Sequence, residues 1–160
     1  MQEFTSLAAL GRHFGRLALE GEAVTNRVTE KVADIVKQDA QVKIGVYQEA
    51  AGQFPAWAPL ADSTVADRIS KGFSPLEPLL RTGELRDSIE THVEGAEATV
   101  GSASMIALYQ EQGTERIPPR PFLGPALFEG KVKIGREAAT HLVAWIAGLS
   151  WRRPQPIRLP

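Results

Sequence analysis

The groups in this 160-residue chain that could do chemistry are its histidines, serines, acids and arginines, and their spacing decides which chemistry is open to them. His13, His92 and His141 lie far apart and lack the short spacings of a zinc site, so they read as surface or core side chains. Ser74, Ser88, Ser102 and Ser104 stand in no G-x-S-x-G context that would expose a nucleophile. The acidic residues form no D-x-D or E-x-x-H grouping, and Glu84 with Asp87 reads as a solvated face beside Arg81 and Arg86. No glycine-rich loop with a phosphate-binding lysine is present. Base, nucleophile and oxyanion donors are not assembled anywhere, so the expectation is a protein that is no enzyme and uses no cofactor or metal.

The arginines point to binding instead. Pro118, Pro119 and Pro121 enclose Arg120, and Arg116 stands just before them. Proline holds its own φ and pushes the preceding residue towards extended geometry, so residues 117–121 form a stiff connector that holds Arg120 in a fixed direction. Arg152 and Arg153 follow Trp151 near the other end of the chain. Arginine and tryptophan are enriched where binding energy concentrates. The candidate contacts with a neighbouring subunit or partner are therefore Arg116, Pro118, Pro119, Arg120, Phe122, Trp151, Arg152 and Arg153. The bland alternative is a set of solvated arginines. Contact with DNA is the weaker version, because 18 basic residues are balanced by 19 acidic ones for a net charge of −1.

The elements that must position these residues follow from periodicity. Leu7, Leu10, Phe14 and Leu17, then Val24, Val28, Val32, Ile35, Val42 and Val46, trace an apolar stripe at helical spacing over about 5–51. Gly21 offers either a bend or a break between two helices. A helix of ~25 residues beyond it would be ~38 Å long, more than a small core needs, and one end would project towards a neighbour. The 52–55 stretch, Gly-Gln-Phe-Pro, is expected to end it. A short helix capped by Asp62 or Ser63 covers 64–70, a loop follows over 71–75, and 81–83 reads as a turn. Ile89, Thr91 and Val93 alternate with Glu90, His92 and Glu94, as in a half-buried strand. Residues 95–97 then turn the chain and 98–100 return it.

The serines of 101–104 cap a short helix carrying Tyr109, and Gly113 suits the left-handed position that ends it. A last helix runs over about 122–149, with Gly130 and Gly135 as points of interruption. Trp57 is expected in the core and Tyr109 against the hairpin. The architecture is α+β: a long N-terminal helix, a small antiparallel sheet around the 89–100 hairpin, and a C-terminal helix packed across it. Residues 1–150 read as one domain and 151–160 as an extended tail rich in proline and arginine.

Composition is that of a globular chain, with 43% apolar and 23% charged residues. Without cysteine there is no disulfide or thiolate site, which fits a reducing cytoplasm. No apolar run reaches the length that spans a bilayer, and the N-terminus lacks the pattern of a signal peptide. A soluble protein is expected.

Three blocks also carry a resemblance. Trp57-Ala-Pro-Leu60 with Thr64, then 78–89 (Pro-Leu-Leu-Arg-Thr-Gly-Glu-Leu-Arg-Asp-Ser-Ile), then Tyr109–Gly113 with Ile117–Gly124 resemble, in order, the pattern of the phage virion-morphogenesis or tail-completion family. The match runs over about 57–127. The chain departs from it at Gln110-Glu111-Gln112, where a His-Gln-aromatic run is usual, and at Pro119, where a small residue is usual. The resemblance implies a structural virion protein at the head–tail junction, assembled in the host bacterial cytoplasm. It would form a homo-oligomeric ring, a hexamer, around the DNA channel. Its partners would be a portal, connector or head-completion protein and a tail terminator or tail tube protein. The alternatives are a morphogenesis factor that does not stay in the particle and, in another class, a small nucleic-acid-binding or hydrolytic protein.

Overall fold

The structure is a computed structural model and describes residues 4–148. The order of elements is α1 (Leu7–Lys43), α2 (Asp62–Ser70), α3 (Glu84–Asp87), β1 (Glu90–Glu94), β2 (Glu97–Gly101), α4 (Met105–Gln112) and α5 (Leu123–Ile146). The expected α+β arrangement is present, with one long helix at each end of the described chain and a two-stranded antiparallel sheet between them.

Helix α1 starts where the Ser6 hydroxyl accepts a hydrogen bond from the Ala9 N–H at 3.1 Å. It runs unbroken for 37 residues, about 55 Å, straight through Gly21. No break is needed there because the Trp145 ring of α5 lies within 3.7 Å of where a Gly21 Cβ would stand, and packing holds the backbone. The helix stops at Lys43, well before 52–55. Ile44 is already extended, and the Gly45 N–H donates to the Pro78 carbonyl at 2.9 Å, so a tertiary contact diverts the chain.

The buried line on α1 is Val24, Ala33, Val36 and Ala40, continued by Ile44. Val42 and Val46, part of the expected stripe, are 74% and 59% exposed. Val42 sits two residues on from Ala40, about 200° round the helix and away from the core. Alanines on the buried line let α5 approach closely. The two helices run antiparallel, tied by Lys133 Nζ on Asp39 Oδ1 at 2.8 Å and by the Lys43–Glu129 pair. Helix α5 is likewise continuous through Gly130 and Gly135.

Between the long helices, α2 begins at Asp62 without a side-chain cap, Ala61 being its N-cap residue. The loop after it is pinned. Arg68 is 5% exposed, and its Nη1 donates to the carbonyls of Ser74, Glu77 and Leu80 at 3.0, 2.7 and 2.9 Å. The expected hairpin is present, paired from Glu90 opposite Gly101 to Glu94 opposite Glu97, but its turn is the two residues Gly95-Ala96 and not 95–97, because Glu97 already pairs across the strands. Thr91 and Val93 face inward, and Glu90, His92 and Glu94 face out. The sheet packs on α1, and a Ser88–Ser102 hydroxyl pair at 2.7 Å closes its base.

One core gathers Ala40, Ile44, Trp57, Leu85, Ile89, Ala107, Phe122 and Ala126 at the C-terminal end of α1 and the N-terminal end of α5. Trp57 is in it as expected. Tyr109 is not: it is 44% exposed, and α4 buries Ala107 instead. The remainder of α1 and α5 forms an arm of two helices beyond this core.

Continuity of α1 makes Gly21 an unfavourable helix residue with room for a methyl group. Gly21→Ala is expected to raise unfolding stability by ~1 kcal/mol in urea titration. A loss of stability would mean that the backbone bends at this position.

Candidate functional site

The three blocks singled out in the sequence fold onto one another at the head of the molecule. The connector ahead of α5 opens with a closed loop, in which the Thr114 N–H donates to the Ile117 carbonyl and the Ile117 N–H donates back. Gly113 ends α4 at φ 76° and ψ 176°, an extended version of positive φ outside the ordinary left-handed helix region. A Cβ there would stand 3.0 Å from the Ile117 oxygen and from the Pro119 ring, so glycine is required both by conformation and by contact.

Arg120 is the centre of this arrangement, and the structure places it inward. The residue is 5% exposed. Its Nε and Nη2 donate to the Ala58 carbonyl at 3.1 and 2.9 Å, and Nη2 also donates to the Pro59 carbonyl at 2.9 Å. Its backbone N–H donates to the Gln110 carbonyl at 2.6 Å. Burial pushes the guanidinium pKa down from its usual value; the Tyr47 phenol opposes this, and nearby Arg68 adds to it. The neighbouring Pro121 carbonyl accepts from the Trp57 indole Nε1 at 2.9 Å. The Trp57–Leu60 block and the proline connector are therefore one unit, joined by an arginine and a tryptophan.

Glu111 joins the same connector to α5. Its Oε2 accepts from the N–H groups of Phe122 and Leu123 at 2.8 and 3.1 Å, and its Oε1 from Gly124 at 2.8 Å. A helix N-terminus presents unsatisfied donors and positive partial charge, and one carboxylate here answers three of those donors. Gly124 has no side chain because the Phe54 ring lies within 2.5 Å of where its Cβ would be. The Gln110-Glu111-Gln112 run is thus the cap of a helix more than ten residues further along.

Of the candidate contact residues, Arg116, Pro118 and Pro119 are exposed. Arg116 makes no ion pair or side-chain hydrogen bond among the described residues. Phe122 is fully buried and, like Arg120, is spent on holding the fold together. Trp151, Arg152 and Arg153 lie outside the described residues. Sequence reasoning did not find Arg68, Glu111 or the acceptor role of the 58–59 backbone, since each acts across a chain separation that no local spacing reveals.

The three blocks enclose a cleft of about 690 Å³. Leu60, Leu79, Leu85, Ile106, Ile117 and Pro118 supply its apolar walls, and Arg68, Arg81, Arg116 and Arg120 line it against a single carboxylate, Glu84. Arg81 shares Asp67 with Lys71 and stacks over the Phe73 ring. The hydrogen bond from Lys71 does most to hold the Asp67 carboxyl below the usual carboxylate range, with Arg81 adding to it. The side-chain oxygen of Gln110, also on the cleft wall, is buried without a hydrogen-bond partner. Among the described residues, no group of three or more His, Asp and Glu could hold a metal ion, and no helix is long and apolar enough to cross a membrane.

A sequence profile of the phage virion morphogenesis family matches residues 5–127, most of the chain. The chain belongs to that family, and its work lies in the morphogenesis of a bacteriophage virion. No match to a curated protein and no match to a solved structure was found.

Two substitutions test the joint. Glu111→Ala is expected to cost about 2 kcal/mol in denaturant unfolding and Glu111→Gln about half as much, because the amide oxygen still accepts but lacks the charge. Arg120→Lys is expected to cost roughly 3 kcal/mol, since an ammonium cannot reproduce the planar fork that meets both carbonyls.

Proposed function

We propose that this protein is a structural component of the head–tail junction, a tail-completion or neck protein that forms a ring around the DNA channel and joins the connector to the tail. The role is one of assembly, without catalysis. Membership of the virion morphogenesis family supports the setting. The observation that carries the finer reading is the two-helix arm. Its residues Leu7 and Leu19 on α1 are 85% and 87% exposed, and Val132, Val143 and Ile146 on α5 are 74%, 62% and 56% exposed.

A pair of helices has only one shared seam, so apolar residues elsewhere on its surface stay in water unless a further chain covers them. A subunit with a tightly joined head and an arm exposing large aliphatic side chains suits repeated association around a closed ring. The proposed neighbours are further copies of the chain in a hexamer, a portal, connector or head-completion protein on one side, and a tail terminator or tail tube protein on the other. DNA would pass through the channel. Arg116, Pro118 and Pro119 are the exposed candidates for these contacts, and Trp151, Arg152 and Arg153, outside the described residues, are candidates from the sequence.

Native mass spectrometry of the purified chain at several concentrations, beside a version cut after Ser150, tests the ring. The expected result is one discrete oligomer, weakened by the cut if Trp151 and its two arginines lie in the contact. Mass spectrometry of purified phage particles tests retention. Finding the protein at a fixed number of copies per particle supports the junction role. Finding none in finished particles makes it an assembly factor that is shed.

A further inference from the structure

The outer face of the hairpin gathers negative charge that the subunit does not answer. Glu94 and Glu97 stand directly opposite each other across the strand pair, and Glu90 lies on the same face. Like charges in directly opposed positions destabilise a hairpin. None of the three makes an ion pair among the described residues. The Gly95-Ala96 turn between them is exposed and small.

At the root of the same hairpin, about 17 Å from its tip along a five-residue strand, lies the basic cleft. It has the opposite problem. Arg116 is exposed and unpaired, Arg81 shares its carboxylate with a lysine, and Arg68 and Arg120 form a cationic floor.

The two surfaces are complementary in charge, and they occupy different places on one subunit. A subunit cannot turn its own hairpin tip back into the cleft at the hairpin's root. We propose that the Glu94–Glu97 tip of one copy docks into the Arg81–Arg116 cleft of the next, as the head-to-tail contact of the assembly. This rests on the self-association reading above and names the contact. Such a contact is heterologous, so it leaves a free tip at one end and a free cleft at the other until rotation closes a ring. The small turn enters between the apolar walls, and the two glutamates meet Arg81 and Arg116 at the rim.

The chain has no cysteine, so introduced thiols report without background. Glu97→Cys and Arg116→Cys are made as separate single variants, mixed and oxidised, with each variant alone as control. Expected is a disulfide-linked dimer in the mixture containing one copy of each, at far higher yield than self-linked dimers of either. In parallel, Glu94→Lys/Glu97→Lys and Arg81→Glu/Arg116→Glu are examined by native mass spectrometry. Each alone should weaken assembly by about tenfold or more, and a one-to-one mixture should restore it, because every reversed tip then meets a reversed cleft. All four positions are exposed; Arg81→Glu also gives up the Asp67 ion pair, and circular dichroism of each variant checks its folding.

If the unaltered chain assembles but neither reversal matters and the mixed disulfide does not form, the hairpin–cleft contact is wrong while the ring reading stands. An unaltered chain that remains monomeric at every concentration overturns self-association and this contact together.

Discussion

The Arg120 guanidinium is enclosed by protein and answered by the carbonyls of Ala58 and Pro59. An ionised group out of water is costly unless its donors are met, and carbonyl dipoles meet them only while the 58–59 backbone stays in place. The position of that backbone depends in turn on Trp57, whose indole is bonded to the carbonyl beside Arg120. The 57–60 and 117–124 segments thus hold each other, and neither can shift alone. Glu111 transmits the same constraint to α5 by holding the N–H groups of its N-cap residue Phe122 and of Leu123 and Gly124. The direction of the C-terminal helix, the walls of the cleft and the seat of Phe122 in the core all follow from this joint.

Arg68 repeats the device on the other side of the cleft, where three carbonyls of the 74–80 loop accept from one guanidinium nitrogen. Irregular segments of this kind carry backbone groups that neither helix nor sheet can satisfy. Buried arginines satisfy several at once, and they leave positive charge beneath the cleft floor. Structural need and surface potential therefore have one origin. The irregular segments of the head are held by buried arginines, and the cleft is cationic for the same reason.

The arm obeys different physics. Beyond the core, α1 and α5 have only each other; the seam ion pairs lie back at the core end, so the arm rests on packing such as Gly21 against the Trp145 ring. Segments with few buried contacts open most readily. An arm of this kind gains most from a neighbour, whereas the head gains little. That division suits the proposed assembly role, in which the folded joint would define a shape and the exposed helices would meet a neighbour.

Much of the fold was legible in the residues. The alternation from Ile89 to Val93 and the turn after Glu94 specified a hairpin, because a period of two admits one pairing face. Ser104, Gly113 and the prolines marked the ends of α4 and the start of α5, and Trp57 was recognisable as core by its size. The joint was not legible. A proline-framed arginine reads equally well as a surface contact, and only the carbonyls of Ala58 and Pro59, some sixty positions away in the chain, turn it inward. Glu111 looked like a departure from a motif until its carboxylate met the N-terminus of α5. Val42 continued an apolar rhythm, but a core that covers only one side of α1 left it in water, and Val46 lies beyond the end of that helix. Local sequence determines which elements form, since periodicity and capping act within a few residues. Tertiary structure alone decides which face is buried and which charge is shared, because those choices depend on groups brought together from distant parts of the chain.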